Sequence, residues 1–206
     1  MYKIFGYGED ALTLWALKNH LSKILERFED KSDPSKCLVF YRPSFGRAGG
    51  KNSSEFGEFD AIVASLENIY LIESKWDNLS IKENYKVKIK NVQQLRHDIF
   101  SWYLTHWHKK YLGRWEDFVI EQESNFNFKR KLLKKKNSLL RRNIEFILNE
   151  LLEHCRQFSG KDNIKNVLLF FYNDEKKPKL PDKIRIFNLV KIDYSKELGE
   201  NFITLS

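Results

Sequence analysis

Two acids and a lysine interrupt a pair of apolar segments near the middle of the chain. Asp60 lies in the segment 59–65, and Glu73 and Lys75 lie in the segment 69–76. A charged side chain is costly to bury in an apolar strand, so three of them in adjacent strands indicate a functional site. Two carboxylates can bind a hard divalent cation through oxygen, and a lysine beside them can orient a water or offset charge on a phosphoryl group.

The turn between these segments decides whether the three side chains meet. If Glu67 and Asn68 form a two-residue loop, Asp60 lies opposite Lys75 and shares a face with Glu73. A four-residue loop also keeps the three together, whereas a three-residue loop separates them unless a bulge restores the register. A buried salt bridge between the lysine and one acid is the alternative to a metal site. We favour the metal site, because two acids accompany the lysine in a basic chain.

Magnesium is the ion that such a ligand set predicts. Mg²⁺ keeps several of its waters and accepts one or two protein carboxylates. We predict that Asp60, Glu73 and the backbone carbonyl of Ser74 bind it, and we expect Mn²⁺ to substitute.

Composition favours one domain that is attracted to polyanions. The chain has 206 residues, of which 42% are apolar, and its 36 Lys and Arg against 28 Asp and Glu give a net charge of +8. Such a charge attracts nucleic acid, although a merely lysine-rich protein would carry it too. Cys37 and Cys155 form no CxxC pattern and are predicted to be core or half-buried thiols of an intracellular, cytoplasmic protein, with a disulfide between them as the alternative. No apolar run reaches the roughly 18 residues of a membrane span.

Hydrophobic periodicity predicts an α/β fold with a mixed central β-sheet flanked by helices. Helices are predicted over 9–28, 87–107 and 144–158, and strands over 37–41, 59–65, 69–76, 167–172 and 184–190. The middle strands are apolar on both faces, which indicates helices on both sides of the sheet. The whole chain, 1–206, is predicted to be one domain, with a basic helical insertion at about 109–160.

Two basic segments are candidates for contacts with phosphates. The first is the Gly-rich loop after residue 41, with Arg42, Arg47 and Lys51, for which an ordinary flexible loop is the alternative. The second is the basic part of the insertion, for which a solvated helix face is the alternative. Its predicted nucleic-acid contacts are Lys129, Arg130, Lys134, Lys135 and Arg141.

The order Asp60, then Glu73-Ser74-Lys75 after an apolar run, resembles the PD-(D/E)xK nuclease superfamily, which has the restriction-endonuclease-like fold. Phe59 replaces the proline of the motif's name. The resemblance covers about residues 8–108 and the two late strands. It implies a Mg²⁺-dependent endonuclease that hydrolyses DNA phosphodiester bonds, of restriction or defence type. A Holliday-junction or other structure-specific resolvase and a non-cleaving nucleic-acid-binding module of the same fold are the alternatives.

The resemblance also implies further site residues and partners. Glu9, in the first helix, matches an additional catalytic acid, although an acid there also suits the helix dipole. Gln93 and Gln94 match a glutamine that some members carry in the helix after the lysine. DNA and a second copy of the chain are the implied partners, and a separate protein subunit is a further candidate. A protein that docks its basic helix on an acidic partner is a further alternative from another functional class.

Overall fold

A six-stranded mixed sheet lies at the centre of the protein, and helices cover both of its faces. The computed structural model describes residues 3–45, 57–76, 87–128, 139–173, 179–196, 198–199 and 202–205. The helices are α1 (Gly8–Asn19), α2 (Leu21–Glu26), α3 (Asn91–His106), α4 (Trp115–Gln122) and α5 (Leu139–His154). The strands are β1 (Phe5–Tyr7), β2 (Leu38–Tyr41), β3 (Ser44–Phe45), β4 (Gly57–Glu58), β5 (Ala61–Ala64), β6 (Ile69–Trp76), β7 (Ile164–Tyr172), β8 (Lys183–Ile184), β9 (Phe187–Asp193), β10 (Leu198–Gly199) and β11 (Phe202–Thr204). The predicted α/β class with a mixed, helix-flanked sheet is confirmed.

The strand order of the main sheet is β2-β5-β6-β7-β9-β8. Strand β5 pairs antiparallel with both β2 and β6. Strand β7 pairs parallel with both β6 and β9. The edge strand β8 is antiparallel to β9. Strand β6 therefore lies between its hairpin partner and a strand reached only through the α3–α5 crossover.

Strand β6 is apolar because it is buried on both faces. Ile69 and Leu71 pack into the cluster that includes α3 and α5, and Tyr70 and Ile72 pack into the cluster that includes α1 and α2. This two-sided burial is the reason for the nearly continuous apolar sequence before Glu73.

A four-residue turn joins β5 to β6. Ala64 pairs with Ile69, so the assumed two-residue loop is wrong and the four-residue alternative is found. The hydroxyl of Ser65 accepts the backbone N–H groups of Glu67 at 3.1 Å and Asn68 at 2.9 Å. These bonds satisfy the turn's amides locally, which favours the longer loop.

A buried aspartate holds this turn against α2, and we call the group the Asp30 cluster. One carboxylate oxygen of Asp30 accepts hydrogen bonds from Ser65 Oγ at 2.6 Å, Asn68 Nδ2 at 2.9 Å and Tyr70 Oη at 2.6 Å. Its other oxygen accepts the N–H of Ser32 at 2.9 Å. Burial alone would raise the pKa of Asp30, but these hydrogen bonds outweigh it and lower the pKa to about 2.

Several element boundaries differ from the sequence prediction. The predicted helix 9–28 is divided into α1 and α2 at His20, whose φ of −132° is not helical. The strand predicted from residue 59 begins at Ala61, and the helix predicted from residue 87 begins at Asn91. A small sheet in the order β1-β11-β10, which was not predicted, packs on α1 through Ile203.

Cys37 and Cys155 are free thiols, so the disulfide alternative is not formed. Burial raises the pKa of Cys37 to about 11 and that of Cys155 to about 12. Among the described helices, none has both the length and the apolar character needed to cross a bilayer.

Candidate functional site

The end of β6 brings the predicted acids and the lysine together. Glu73 is only 4% exposed, and Lys75 follows at the point where the strand leaves the core. Because Ala61 pairs with Ile72, the neighbouring Asp60 lies beside Glu73 in the same register. The backbone N–H of Ser74 donates to Asp60 Oδ2 at 2.6 Å, which ties the two strand ends together.

The chain bends at Asp60, which interrupts the side-chain alternation of the strand. Phe59 and Ile62 pack in the same cluster, although residues three apart on a regular strand face opposite sides. The N–H of Phe59 donates to the Pro43 carbonyl, and the N–H of Arg42 donates to the Asp60 carbonyl. The bend leaves the Asp60 carboxylate directed at the β6 backbone.

Glu9 reaches the site from the start of α1. Its Oε2 accepts the backbone N–H of Trp76 at 3.0 Å, and its Oε1 lies 3.6 Å from Lys75 Nζ. The preceding Gly8 has a φ of +83°, a conformation that side-chain-bearing residues rarely adopt, and it turns the chain from β1 into α1. The structure therefore places Glu9 beside the predicted site residues.

Lys75 lies between two acids. Its ammonium group is 3.4 Å from Glu73 Oε1 as well as 3.6 Å from Glu9, and it also donates to the Ser74 carbonyl. The Ser74 carbonyl, which was predicted to bind the metal, therefore accepts a hydrogen bond from Lys75.

Helix α3 holds Glu73 from the opposite side. Arg96 donates to Glu73 Oε2 at 2.8 Å, and the side-chain amide of Gln93 donates to Oε1. Arg96 also donates to the Glu58 carbonyl and lies over the Phe59 ring, 5.4 Å from its centroid. Both oxygens of Glu73 thus have donors, and two of these donors, Arg96 and Lys75, are cations.

Sequence reasoning found Gln93 but missed two residues of the site. Arg96 was not predicted, although its spacing of three from Gln93 on a helix places both on one face. Thr13, four residues after Glu9 on α1, was also missed, and its hydroxyl donates to Ser74 Oγ at 2.8 Å. Gln94 is half-buried on the neighbouring face of α3.

The electrostatics of the site favour an added positive charge. Burial, and then the charge of Glu73, raise the pKa of Asp60 to about 7, while the Ser74 N–H and Lys75 act in the opposite direction. Acids outnumber cations along this edge of the sheet. The acids are Glu9, Asp10, Glu58, Asp60 and Glu73, and the cations are Arg42, Lys75 and Arg96.

The side chains fit a hard divalent cation only if two carboxylates are enough to hold it. Within the described ranges, no group of three or more His, Cys, Asp or Glu side chains is arranged to hold a metal ion. Asp60 and Glu73 would supply the one or two carboxylates that Mg²⁺ accepts, with water completing its shell. A cation there would share Glu73 with Arg96 or replace that contact.

The predicted phosphate contacts that are described form ion pairs within the protein. Arg42 pairs with Asp10 and, at 2.7 Å, with Glu58. Arg141 lies 3.4 Å from Glu116 and 3.6 Å from Glu145. The other predicted contacts, namely Arg47, Lys51, Lys129, Arg130, Lys134 and Lys135, lie outside the described residues.

Comparison with known proteins identifies no relative of this chain. Searches against protein-family models, curated proteins and solved structures found no significant match to the chain.

Proposed function

We propose that the chain is a divalent-metal-dependent nuclease that hydrolyses phosphodiester bonds in DNA, with a core of the restriction-endonuclease-like kind. The observation that carries the proposal is the convergence of Glu9, Asp60, Glu73 and Lys75 where α1, β5 and β6 meet. An antiparallel hairpin followed by a helical crossover to a parallel strand supports this assignment, because it is the frame on which the motif is expected.

In this proposal the chain's own residues hold the cation, orient the acids and the lysine, and offset charge on the phosphate. A divalent cation bound by Asp60 and Glu73 would polarise a phosphoryl oxygen and lower the pKa of a bound water. The Ser74 N–H orients Asp60, and Glu9 restrains Lys75. Lys75, with part of its side chain exposed, is placed to donate to a phosphate oxygen as negative charge develops.

Opposing local and overall charges support a metal requirement. The net charge of +8 attracts a polyanion from a distance. The acids around Asp60 repel the same phosphates at close range, so a bound cation would have to offset them. DNA and a divalent cation would then bind in a mutually supportive way.

The test is cleavage of plasmid, linear, single-stranded and four-way-junction DNA with Mg²⁺ or Mn²⁺. Wild type is compared with Lys75→Ala and with Asp98→Asn, a control for loss of a charged side chain outside the site. Asp98 lies in α3, is also partly buried and has a raised pKa, but it belongs to a different cavity, beside Lys161. We expect metal-dependent cutting that Lys75→Ala loses and Asp98→Asn keeps. Equal activity in all three proteins would contradict the assignment.

A non-cleaving nucleic-acid-binding module is the second candidate. The ion pair between Arg96 and Glu73, together with the Gln93 amide, favours it because it occupies an acid that a metal would need. Tight DNA binding, without cutting of any substrate at any metal concentration, would support this candidate over the nuclease.

A further inference from the structure

The small sheet beside the site carries an exposed aromatic face. Phe5 is 60% exposed, Tyr7 is 58% exposed and Phe202 is 50% exposed. Phe5 and Tyr7 are two residues apart on β1, and Tyr7 pairs with Phe202 on β11, so all three share one side of the sheet. The rings of Tyr7 and Phe202 lie 5.7 Å apart.

This aromatic face is continuous with the candidate site. The Tyr7 ring meets the Trp76 ring edge to face at 5.5 Å, and Trp76 directly follows Lys75. The Trp76 backbone bonds to Glu9, and its indole donates to Tyr194 Oη at 2.6 Å, which fixes the ring. The aromatic face thus begins where the row of acids and lysine ends.

Lysines flank the same sheet. Lys18 is exposed on α1, and its ammonium group donates to the Leu205 carbonyl, just after β11, at 3.1 Å. Lys3 is exposed two residues before Phe5. Lys18 lies on the helix that covers the opposite face of the sheet through Ile203, and positive charge on both lysines attracts the phosphates of a nucleic-acid strand.

Exposed aromatic rings beside the proposed phosphodiester site are placed to stack on a nucleobase. Every base has a π-face, but in a duplex both faces are covered by neighbouring base pairs, so an aromatic side chain stacks on an unpaired base. We propose that Tyr7 and Phe202 form a stacking platform for an unpaired base beside the cleaved phosphate. The substrate is then a single-stranded or frayed segment of nucleic acid. The cleavage part of this inference rests on the proposed nuclease function.

The test measures binding without cleavage. A fluorescein-labelled thymidine oligonucleotide, the same strand with abasic sugars at its centre, and a blunt duplex are titrated by fluorescence anisotropy in EDTA. We expect wild type to prefer the strand with bases. Tyr7→Ala and Phe202→Ala should each weaken its binding about 5- to 150-fold, the usual effect of losing one stacking ring, and leave the abasic strand unaffected.

Three further variants separate stacking from other causes. Tyr7→Phe keeps the ring and should bind like wild type, whereas Tyr7→Leu keeps apolar area without a π-face and should bind like Tyr7→Ala. Phe146→Ala removes a ring that is 57% exposed on α5, away from the site, and should change nothing. Thermal unfolding of each variant verifies the fold.

The outcomes distinguish this inference from the nuclease proposal. Equal losses on the base-containing and abasic strands, full binding by Tyr7→Leu, or dissociation of a dimer in Tyr7→Ala would each overturn the platform. Cleavage by wild type with unchanged binding in Tyr7→Ala would leave the nuclease standing without it. Selective stacking by a protein that cuts nothing would support the platform and refute the nuclease.

Discussion

An aspartate lies near each end of the β5–β6 hairpin, Asp30 at the turn and Asp60 at the open end. Their pKa values are shifted in opposite directions. At the turn, hydrogen bonds outweigh burial and lower the pKa of Asp30 to about 2. At the open end, burial and the charge of Glu73 raise the pKa of Asp60 to about 7. The same residue type is thus a permanent anion at one end and a titrating group near neutral pH at the other.

The donors around the two ends explain this difference. The acceptor oxygens of Asp30 receive hydroxyl, amide and backbone donors that belong to the fold. At the open end, Asp60 accepts the Ser74 N–H, but it is partly buried and lies beside the charge of Glu73. Glu73 in turn is held by Arg96 and Lys75, which are charges that another cation can replace. Four donors outweigh the burial of Asp30, whereas the Ser74 N–H does not outweigh burial and a neighbouring acid at Asp60.

The largest expected effect is on activity at the open end. Asp60→Asn should lower DNA cleavage by on the order of 10³-fold or more, because it removes a carboxylate that would hold the divalent cation against the phosphate. DNA binding should be nearly unchanged. Initial rates on the preferred substrate, with filter binding of the same DNA, give both values. Full activity of Asp60→Asn would contradict a role in cleavage for the open end of the hairpin.

Stability at the turn should show the next largest effect. Asp30→Ala leaves the donors of Ser65, Asn68 and Tyr70 without their shared acceptor, and should cost roughly 3 to 5 kcal/mol of unfolding free energy. Urea denaturation measures it. Cleavage per folded molecule should remain at the wild-type level. A loss of specific activity in the folded fraction would mean that the two ends are not independent.

The pH dependence of stability should differ between the ends in sign. The pKa of Asp60 is raised on folding, so its contribution is present below about pH 4 and is lost as the pH rises towards 7. The pKa of Asp30 is lowered, so its contribution is present above about pH 4 and is lost as the pH falls towards 2. In urea titrations without metal, Asp60→Asn should abolish a decline of about 2 to 4 kcal/mol between pH 4 and 7 and keep the decline below pH 4. Wild type and Asp60→Asn declining equally above pH 4 would contradict this assignment.

The smallest expected effect concerns the exchangeable cation. Arg96→Met removes the guanidinium from Glu73, so the site should bind Mn²⁺ about tenfold more tightly, as expected when a competing charge of about 1.4 kcal/mol is lost. Calorimetric titration measures the affinity, with Arg42→Met as the control for loss of a nearby arginine. Weaker Mn²⁺ binding in Arg96→Met would show that the arginine supports the metal form and does not compete with it.

The sequence was sufficient to predict the central part of the fold. The long apolar run before Glu73 predicted β6, and its two-sided burial is what the helix-flanked sheet provides. The spacing predicted that Glu73 and Lys75 share a face of β6, and the even-numbered turn keeps Asp60 in register with Glu73. The bend at Asp60, which was not predicted, directs its carboxylate at the β6 backbone. Local pattern is enough here because the hairpin pairs residues that are close in sequence.

Contacts between distant segments could not be predicted in this way. Asp30 reaches the turn from the end of α2, and Arg96 reaches Glu73 from α3 after a long connection. Strands β1 and β11 are three residues each and pair across almost the whole chain, so neither has a recognisable period. Side chains that meet through tertiary packing leave little signal in the spacing of one sequence.

The parallel pairing of β6 with β7 has a consequence for how the protein folds. Ile69 pairs locally with Ala64, but its other partner is Ile164, which becomes available only after the helical crossover has closed. Closure entropy grows only slowly with loop length, whereas folding slows as contacts become more distant in sequence. The β5–β6 hairpin with its acids is therefore expected to form early, and β7 is expected to pair with β6 in a later step. Shortening the crossover should speed refolding far more than it changes stability.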